Sequence, residues 1–307
     1  MKNAFKMLLN RIIKTQTLSE ENRAKAFSEL AVCERIDIVT RPHTLYVAKS
    51  LQKHLKDMGI KSNIYRHVPI SRLKDIFIVI CPQVFALLPV RYIAFQMEQT
   101  VSSRWLTEEY YKILENAVAV FDYSKRNIAF FNDSSFASRL FYVPIDYCDF
   151  GKEYRPPKYD VLFYGDTRCE RRKKYLEEIA KHFNVKILFK VYQDAALEEI
   201  SQAKIVVNIH YYEEALLEST RIYEVLSLNN SIVVSEKGID NEDYELDEVV
   251  DFVDIGDIDA MVSRINHWLD NDCARKEKLF YNKQVLCTRK NSTAIGLRNF
   301  LLSVGRS

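Results

Sequence analysis

Two patterns of apolar residues take turns along the chain: repeats at helical spacing and short apolar runs typical of strands. Their alternation predicts strands that alternate with helices. Residues 45–58 repeat apolar positions at helical spacing, and Gly59 directly after them is suited to end a helix. Residues 75–81 are a continuous apolar run, typical of a strand covered on both faces in a parallel sheet. Further short strands of the first half are predicted at 35–40, 61–65, 93–96, 117–122 and 140–143.

The same alternation restarts after residues 150–158, which are the predicted linker. Pro156 and Pro157 lie in this stretch, and proline fits neither the interior of a helix nor a central strand. The second half predicts strands at 160–164, 186–189, 204–209, 231–235 and 249–253, with helices at 169–182, 197–203, 219–228 and 258–271 and a mostly helical tail from 275.

This order of elements predicts an α/β protein with two Rossmann-like, doubly wound domains that face a cleft. The N-terminal domain is predicted to span 1–150 and to begin with leading helices. The C-terminal domain is predicted to span 151–307, with helices at its end. In open α/β sheets, ligands bind at the carboxyl ends of the strands. We therefore expect the functional groups to follow the strands and to line the cleft.

The charge balance and the cysteines narrow the possible functions. The 307 residues include 44 basic and 42 acidic ones, a net charge of +2, which differs from the basic excess of nucleic-acid-binding proteins. The six cysteines include no C-x-x-C pair, so they predict no zinc site and suit a reducing cytoplasm. The most apolar stretch, 76–90, is interrupted by prolines and falls short of the ~20 residues of a membrane-spanning helix. We expect a cytoplasmic protein that binds no nucleic acid.

The N-terminal segment 1–30 is predicted to form two helices broken near 17–19, with Ser19 as the N-cap of the second. The first, 3–14, carries apolar side chains broadly on one side and basic side chains elsewhere. Such a helix can rest on the inner face of the cell membrane as a peripheral contact. It can equally dock on its own domain, as most amphipathic helices of soluble proteins do.

The stretch 204–238 combines a buried strand, a polar loop and the start of a helix. The strand ends with Asn208 and His210, and the helix begins at Ser219 and Thr220. The first turn of a helix offers backbone N–H groups without helical partners and the positive end of the helix dipole, which together bind anions. This helix start is therefore a candidate anion-binding site.

Two charged residues of this helix point to a nucleotide ligand. Arg221 in the first turn can form a bidentate contact with a diphosphate. Glu224 lies three residues later on the same face, where it can accept hydrogen bonds from ribose hydroxyls. The alternative is an exposed Arg221–Glu224 ion pair on an ordinary amphipathic helix, because such pairs are common.

A second candidate phosphate contact follows the strand at 160–164. Gly165 predicts a tight turn that lets a ligand approach the backbone closely. Arg168, followed by Arg171 and Arg172, lies at the start of the next helix, where it can reach a donor phosphate across the cleft. The alternative is a solvated basic face on the helix at 169–182.

The stretch 204–238 resembles the donor-binding region of GT-B-fold glycosyltransferases, especially a bacterial, family-1-like group. In that group a strand ending N-x-H precedes a loop, an S/T-x-R-I/L-F/Y-E helix and a V-V-S-E strand. Residues 159–172 also resemble the opening of the donor domain, and 96–99 and 119–127 resemble stretches of the first domain. The residues that match the donor motif are Asn208, His210, Ser219 or Thr220, Arg221, Tyr223, Glu224 and 233–236.

The resemblance implies a glycosyltransferase that moves a sugar from a nucleotide-diphosphate donor to a hydroxyl of a surface glycan or a lipid-linked acceptor. It implies that Arg221 and the helix start hold the diphosphate and that Glu224 holds the ribose. His210 and Glu218 would face the sugar. The nucleotide sugar is a co-substrate, so no metal or other cofactor is expected.

The chain departs from the family pattern in two places. Many retaining enzymes of this fold carry a glutamate eight residues before the position of Glu224, where this chain has Leu216. Glu213, Glu214 and Glu218 are candidate substitutes, so retention or inversion of the anomeric centre stays open. The first turn after a strand, 40–44, also lacks the glycines often found there.

An inverting transfer needs a base that removes the proton of the acceptor hydroxyl, and the first half offers three candidates. His43 follows the first strand, and a histidine with a pKa near neutrality suits the role. Glu98 follows the strand at 93–96, and Asp122 ends another strand. His43 and Glu98 are the main candidates, and each of the three can equally be a structural polar group.

Three other functions are compatible with the sequence. A sugar-nucleotide epimerase or a polyol phosphotransferase would share the fold and differ in the reaction. A non-catalytic protein that binds a glycan or a protein partner would keep the fold without the chemistry. A DNA-modifying sugar transferase would bind DNA in a salt-dependent manner, which the near-neutral charge argues against.

Overall fold

The structure, a computed structural model, describes residues 17–101, 104–151, 155–239 and 246–306. Contacts between residues divide the chain into two compact units. The first comprises the chain up to Ile145 and from Asn291 onward, and the second comprises Asp146–Lys290. The helix predicted at 3–14, and with it the predicted membrane contact, lies outside the described residues.

The first unit is built on a six-stranded parallel sheet with the order β2-β1-β3-β4-β5-β6. Its strands are β1 Asp37–Val39, β2 Ile64–Tyr65, β3 Ile76–Ile80, β4 Arg91–Gln96, β5 Ala119–Asp122 and β6 Leu140–Tyr142, and its first four helices are α1 Glu20–Glu29, α2 Leu45–Asp57, α3 Glu108–Asn116 and α4 Lys125–Phe130.

Local signals in the sequence explain the elements of this unit. Every residue of β3 is buried, as the continuous apolar run predicts for a central strand. Ser19 caps α1 by accepting a hydrogen bond from the backbone N–H of Asn22, which confirms the predicted N-cap. Gly59 follows α2 with a φ of +77°, a conformation that glycine adopts without strain.

Two connections of the first unit differ from the predicted alternation of strands and helices, and the one from β2 to β3 holds only the 3-10 turn Ile70–Arg72. The chain passes from β3 to β4 through a single turn of 3-10 helix, Pro82–Val84, without an α-helix. Pro82 and Pro89 lie in this connection, and proline disrupts the hydrogen bonding that a longer helix would need.

The second unit is built on a five-stranded parallel sheet with the order β11-β10-β9-β7-β8. The sheet grows in one direction from β7 to β8 and in the other from β9 to β11, so the order reverses between β7 and β9. Its strands are β7 Tyr159–Tyr164, β8 Val185–Leu188, β9 Ala203–Asn208, β10 Ile232–Glu236 and β11 Asp251–Val253, and its helices are α5 Glu170–Ala180, α6 Gln193–Ile200, α7 Ser219–Leu226, α8 Ile258–Asp270 and α9 Asp272–Thr288.

The C-terminal helix α10, Ser292–Ser303, corrects the predicted domain boundaries. The sequence assigned 151–307 to the second domain, but α10 packs on α2 and β6 of the first unit. The Phe300 ring lies edge-on to Phe121 and Phe141, with centroids 4.7 and 5.0 Å apart. The Thr293 hydroxyl donates to the Pro144 carbonyl oxygen at 2.7 Å. Helical periodicity shows that a face is apolar but not which unit covers it, so the sequence could not assign this helix.

None of the helices in the part of the chain that the structure describes combines the length and apolar composition needed to cross a membrane.

We predict that Gly296→Ala destabilises the first unit, although alanine favours helices by about 1 kcal/mol over glycine. A Cβ at Gly296 would lie 2.7 Å from the Tyr142 carbonyl oxygen and 2.9 Å from the Val143 Cα. These are backbone atoms that cannot rotate away, so we expect a loss of about 1–3 kcal/mol in the free energy of unfolding, measured in urea.

The matched control is Ile295→Ala, because Ile295 is exposed on the same turn of α10. It should change stability by less than Gly296→Ala. An unchanged or increased stability of the glycine variant would contradict the packing of α10 on β6.

Candidate functional site

The candidate site lies in the second unit, at the carboxyl ends of β7 and β9. These strands are neighbours where the strand order reverses, which is the position at which open α/β sheets bind ligands. The loop that begins with Gly165 leads from β7 into α5. The loop after Asn208 leads from β9 to the start of α7 at Ser219. Two loops and two helix starts therefore converge at this edge.

Two arginines from different helices share one carboxylate at this edge. Arg172 Nη2 donates to Glu218 Oε1 at 2.8 Å, and Arg221 Nη1 pairs with the other oxygen, Glu218 Oε2. The Arg172 side chain is 3% exposed, and its Nε donates to the Ile209 carbonyl oxygen at 2.8 Å. Arg221 Nη1 also donates to Asn208 Oδ1 at 2.8 Å. Both guanidinium groups are thus held in place by strand ends as well as by Glu218.

Gly165 makes room for the two guanidinium groups. Its φ is +144°, a conformation that side chains disfavour. A Cβ on Gly165 would lie 3.1 Å from Arg221 Nη2 and 3.5 Å from Arg172 Nη1. In this structure the groups that approach the turn closely are Arg172 and Arg221, and the approach of a ligand stays a prediction.

The charge of Glu218 is stabilised by its surroundings. Burial alone would raise the pKa of this carboxyl, but the positive charges of Arg221 and Arg172 lower it below the ordinary value, with help from the backbone N–H of Tyr211. Glu218 is therefore ionised at neutral pH. Sequence analysis placed it against the sugar; in this structure it lies between the arginines as the N-cap residue of α7.

A second carboxylate, Glu236, lies at the end of β10 and is fully buried. Arg171 forms a bidentate contact with it, the Tyr175 hydroxyl donates to its Oε1 at 2.6 Å, and the backbone N–H of His210 donates to its Oε2 at 2.8 Å. Burial opposes the charge, but these donors lower the pKa of Glu236. Glu236 thereby ties α5 and β9 to β10 behind the arginine pair.

The His210 ring is buried and leaves one nitrogen without a partner. Nε2 lies 2.8 Å from the Lys237 carbonyl oxygen. Because a carbonyl oxygen only accepts, Nε2 carries the proton and Nδ1 is an acceptor. Nδ1 has no hydrogen-bond partner among the described residues. His210 therefore presents a buried acceptor that a hydroxyl group can satisfy.

Glu224 contacts the first strand of this unit. The Tyr164 hydroxyl donates to Glu224 Oε2 at 2.9 Å and lies 3.2 Å from the Arg221 carbonyl oxygen. Burial and the negative charge of Glu224 raise the pKa of Tyr164 well above its ordinary value, so the phenol stays a donor. The simple Arg221–Glu224 ion pair considered from the sequence is not the pairing that forms, because Arg221 pairs with Glu218.

Arg168 does not join the other arginines. Its side chain is 69% exposed and forms a fork on Asp166 within the same turn, which holds the pKa of Asp166 at about 2. Ser219 and Thr220 form the first turn of α7, as predicted, and both are half-buried. The position eight residues before Glu224 is Leu216, so no carboxylate stands there, and the leucine is buried.

The sequence analysis missed residues that complete the site. Arg172 was noted as part of a basic run but not as a ligand contact, and Tyr164 and Glu236 were not singled out for function. The signal in the sequence was the spacing of Arg172, which lies seven residues after Gly165. Helix geometry places it on the face of the helix that is directed toward the Gly165 turn.

The candidate base His43 lies in the first unit, after β1. It is part of a 3-10 turn, Pro42–Thr44, and the residue is exposed. Partial desolvation of the imidazole and the positive charge of Arg41 lower the pKa of His43, so the imidazole is neutral at pH 7. This is the protonation state that a base requires.

The other candidates, Glu98 and Asp122, belong to one polar network after β4 and β5. Gln96 Nε2 donates to Asp122 Oδ2 at 2.8 Å and to the Glu98 carbonyl oxygen at 2.7 Å. Asn127 Nδ2 links the same two residues at 3.1 and 2.9 Å. The Glu98 carboxylate accepts from Gln83 Nε2 at 2.6 Å. Asp122 thus holds the amides that shape the turn carrying Glu98.

Among the described residues, no group of three or more His, Cys, Asp or Glu side chains could hold a metal ion, and no two cysteines are bonded.

No family model matches the chain, and no curated protein matches its sequence. Solved structures match its fold. An alpha-glucosyltransferase in complex with UDP and a 13-mer DNA containing an HMU base is 12% identical, with a TM-score of 0.59 over 89% of this chain and 99% of that chain. WaaG, a glycosyltransferase involved in lipopolysaccharide biosynthesis, is 9% identical, with a TM-score of 0.55 over 89% and 98%. TarM is 15% identical, with a TM-score of 0.52 over 75% and 54%.

These structures are GT-B glycosyltransferases, and the chain shares their fold of two Rossmann-like units. The predicted fold class is thereby confirmed. The chain spans about half the length of the TarM structures that it matches.

We predict that Asp122 makes stability fall as pH rises. Burial raises the pKa of Asp122 from 3.8 to about 8, so the folded protein keeps a proton that the unfolded chain releases. Its contribution is fully present below pH 3.8 and is lost as pH rises through about 8. Between pH 5 and 7 the loss should approach ~1.4 kcal/mol per pH unit.

Thermal unfolding of Asp122→Asn across this pH range tests the prediction, because the variant lacks the titrating group. The exposed Asp133→Asn of the same unit is the control and should keep the wild-type profile. Parallel profiles for wild type and Asp122→Asn would show that Asp122 is ionised in the folded protein.

Proposed function

We propose that this chain is a glycosyltransferase that moves a sugar from a nucleotide-diphosphate donor to a hydroxyl group of an acceptor. The observation that carries the proposal is the guanidinium pair of Arg172 and Arg221 at the switch point of a GT-B-fold unit. Two cations beside a helix start form a site for a group with more than one negative charge, as a diphosphate is.

In this proposal the diphosphate binds to Arg172, Arg221 and the backbone N–H group of Thr220, because the N–H of Ser219 donates to the Leu217 carbonyl oxygen at 2.8 Å. When the bond between the sugar and the diphosphate breaks, negative charge grows on the leaving group. Fixed cations in a site that is largely buried stabilise that charge without having to reorganise. Protein cations thus neutralise the leaving group, and the nucleotide sugar is the co-substrate with no resident cofactor.

The remaining residues of the edge take roles that follow from their chemistry. Glu224 accepts hydrogen bonds from the ribose hydroxyls, while Tyr164 keeps its carboxylate oriented. His210 offers its Nδ1 to a hydroxyl of the sugar. Asn208 orients Arg221, and Gly165 keeps the space beside the guanidinium groups open. Arg168 reaches a phosphate only after it leaves Asp166.

The acceptor side of the proposal rests on the first unit and on the matched structures. His43 or Glu98 removes the proton of the acceptor hydroxyl if the reaction inverts the anomeric centre. WaaG acts in lipopolysaccharide biosynthesis, and a TarM variant of S. aureus was solved with α-GlcNAc-glycerol and UDP. We propose a hydroxyl of a surface glycan or a lipid-linked acceptor, met at the inner face of the cell membrane by a cytoplasmic protein.

We predict that Arg221→Ala abolishes stabilisation by nucleotides. Wild-type protein screened against UDP, GDP, CDP, TDP and their sugars should show a rise in melting temperature with one nucleotide series. A ligand at 100 times its Kd adds about 2.7 kcal/mol. Arg221→Ala removes one of the two cations, so the same concentration should give little or no shift.

The matched control is Lys173→Ala, which removes one positive charge from the exposed side of α5 next to Arg172. It should keep the wild-type shift. The proposal fails if wild type responds to no nucleotide, or if Arg221→Ala and Lys173→Ala respond alike.

Activity assays separate the proposed reaction from its rivals. The assay uses the nucleotide sugar identified above. An epimerase converts this donor when no acceptor is present, whereas a transferase without an acceptor consumes it only by hydrolysis. We expect product with a lipid-linked or glycan acceptor. Transfer to a 13-mer DNA containing an HMU base would instead identify a DNA-modifying enzyme; a matched alpha-glucosyltransferase was solved in complex with UDP and such a DNA.

A further inference from the structure

The Glu218 carboxylate occupies the position that an anionic ligand would need. One oxygen pairs with Arg172, the other pairs with Arg221, and the backbone N–H of Tyr211 is a further donor. The group lies at the amino end of α7. Guanidinium forks, a backbone N–H and a helix start are the donors by which proteins hold phosphate oxygens.

We propose that Glu218 is a built-in competitor of the donor, and that the diphosphate binds by displacing this carboxylate from Arg172 and Arg221. The inference rests on the proposed function, since it assigns the diphosphate to the same two arginines. It adds that the unliganded site is kept closed by its own chain.

The geometry allows the side chain of Glu218 to move while its backbone stays fixed. The Glu218 carbonyl oxygen accepts from the backbone N–H of Arg221 at 3.0 Å and of Ile222 at 3.3 Å, which anchors the residue at the helix start. The side chain is 18% exposed, whereas that of Glu236 in the layer behind is 0% exposed. The Glu218 side chain therefore borders solvent, whereas that of Glu236 does not.

Electrostatic repulsion requires that the diphosphate replace the Glu218 carboxylate at the two arginines. Two guanidinium groups without an anion would repel each other in a site of low dielectric constant, so the free protein needs Glu218. A diphosphate brings its own negative charge to the same atoms. The two anions would then repel each other across hydrogen-bonding distance, and Glu218 has to leave. The apparent affinity of the arginine pair for diphosphate is consequently lower than its intrinsic affinity, because the contacts with Glu218 have to be broken.

The test compares Glu218→Gln with wild type in binding inorganic diphosphate and UDP at constant ionic strength, by calorimetry. The variant keeps the size of the side chain but removes the competing charge. Because a charged hydrogen-bonding partner is lost from the free state alone, we expect both probes to bind at least about tenfold more tightly. The control is Glu170→Gln, which removes a negative charge from the exposed start of α5 and should bind as wild type does.

A second readout distinguishes a competitor from a residue that merely supports the fold. Without anions, Glu218→Gln should melt at a lower temperature than wild type, because its arginines have lost their counter-ion. With saturating diphosphate, its rise in melting temperature should exceed that of wild type. A supporting residue would lower both the melting temperature and the affinity. If Glu218→Gln does not fold, Glu218→Asp retains the charge on a shorter side chain that cannot span both arginines, and should bind diphosphate more tightly than wild type.

The outcomes separate the inference from the proposed function. If wild type binds UDP and the Glu218 variant binds it equally or more weakly, displacement is wrong and the donor site stands. If neither protein binds any nucleotide or diphosphate, both proposals fail. If only the variant binds diphosphate, the ligand does not displace Glu218 in the wild type, and displacement is wrong.

Discussion

Two positive charges held side by side at the edge of a parallel sheet are the constraint that organises the second unit. Arg172 is almost fully buried and Arg221 is largely so, and neither charge is stable there without compensation. The surrounding residues supply it in different ways. Glu218 neutralises both guanidinium groups, strand-end oxygens at Asn208 and Ile209 fix their orientation, and Gly165 gives them space that any side chain would fill.

The same logic separates two ion-paired glutamates of this unit, Glu236 and Glu218. Glu236 lies behind the arginine pair, fully enclosed, with Arg171, Tyr175 and backbone donors satisfying it. Breaking those contacts would leave a buried charge without partners, so Glu236 is part of the framework. Glu218 lies at the outer side, reaches solvent, and is bound to groups that an incoming anion can also satisfy. The two carboxylates carry equal charge and both have lowered pKa values, but their roles are opposite, because only Glu218 is accessible to solvent.

The sequence predicted most of the fold because its signals are local. Apolar runs, helix caps such as Ser19 and the proline-rich linker act within a few residues, and the observed strands lie where these signals place them. The assignment of α10 failed because its partner surface is more than a hundred residues away. The same contrast between local and distant signals applies to the site. The start of α7 could be predicted from neighbouring residues, but the ion-pair partner of Arg221 could not. Spacing favoured Glu224 on the next turn, whereas the fold brings Glu218 and Arg172 together.

Asp122 in the first unit retains a proton at neutral pH, and this distinguishes the three candidate bases. Its hydrogen bonds come from neutral donors, Gln96 and Asn127 among them, and burial raises its pKa to about 8. A carboxyl that is protonated at neutral pH cannot accept the proton of a hydroxyl, so Asp122 is suited to shaping the turn at Glu98. His43 and Glu98 remain the candidates that can accept this proton. His43 is a neutral imidazole on the surface, and Glu98 presents its carboxylate from the turn that Asp122 stabilises.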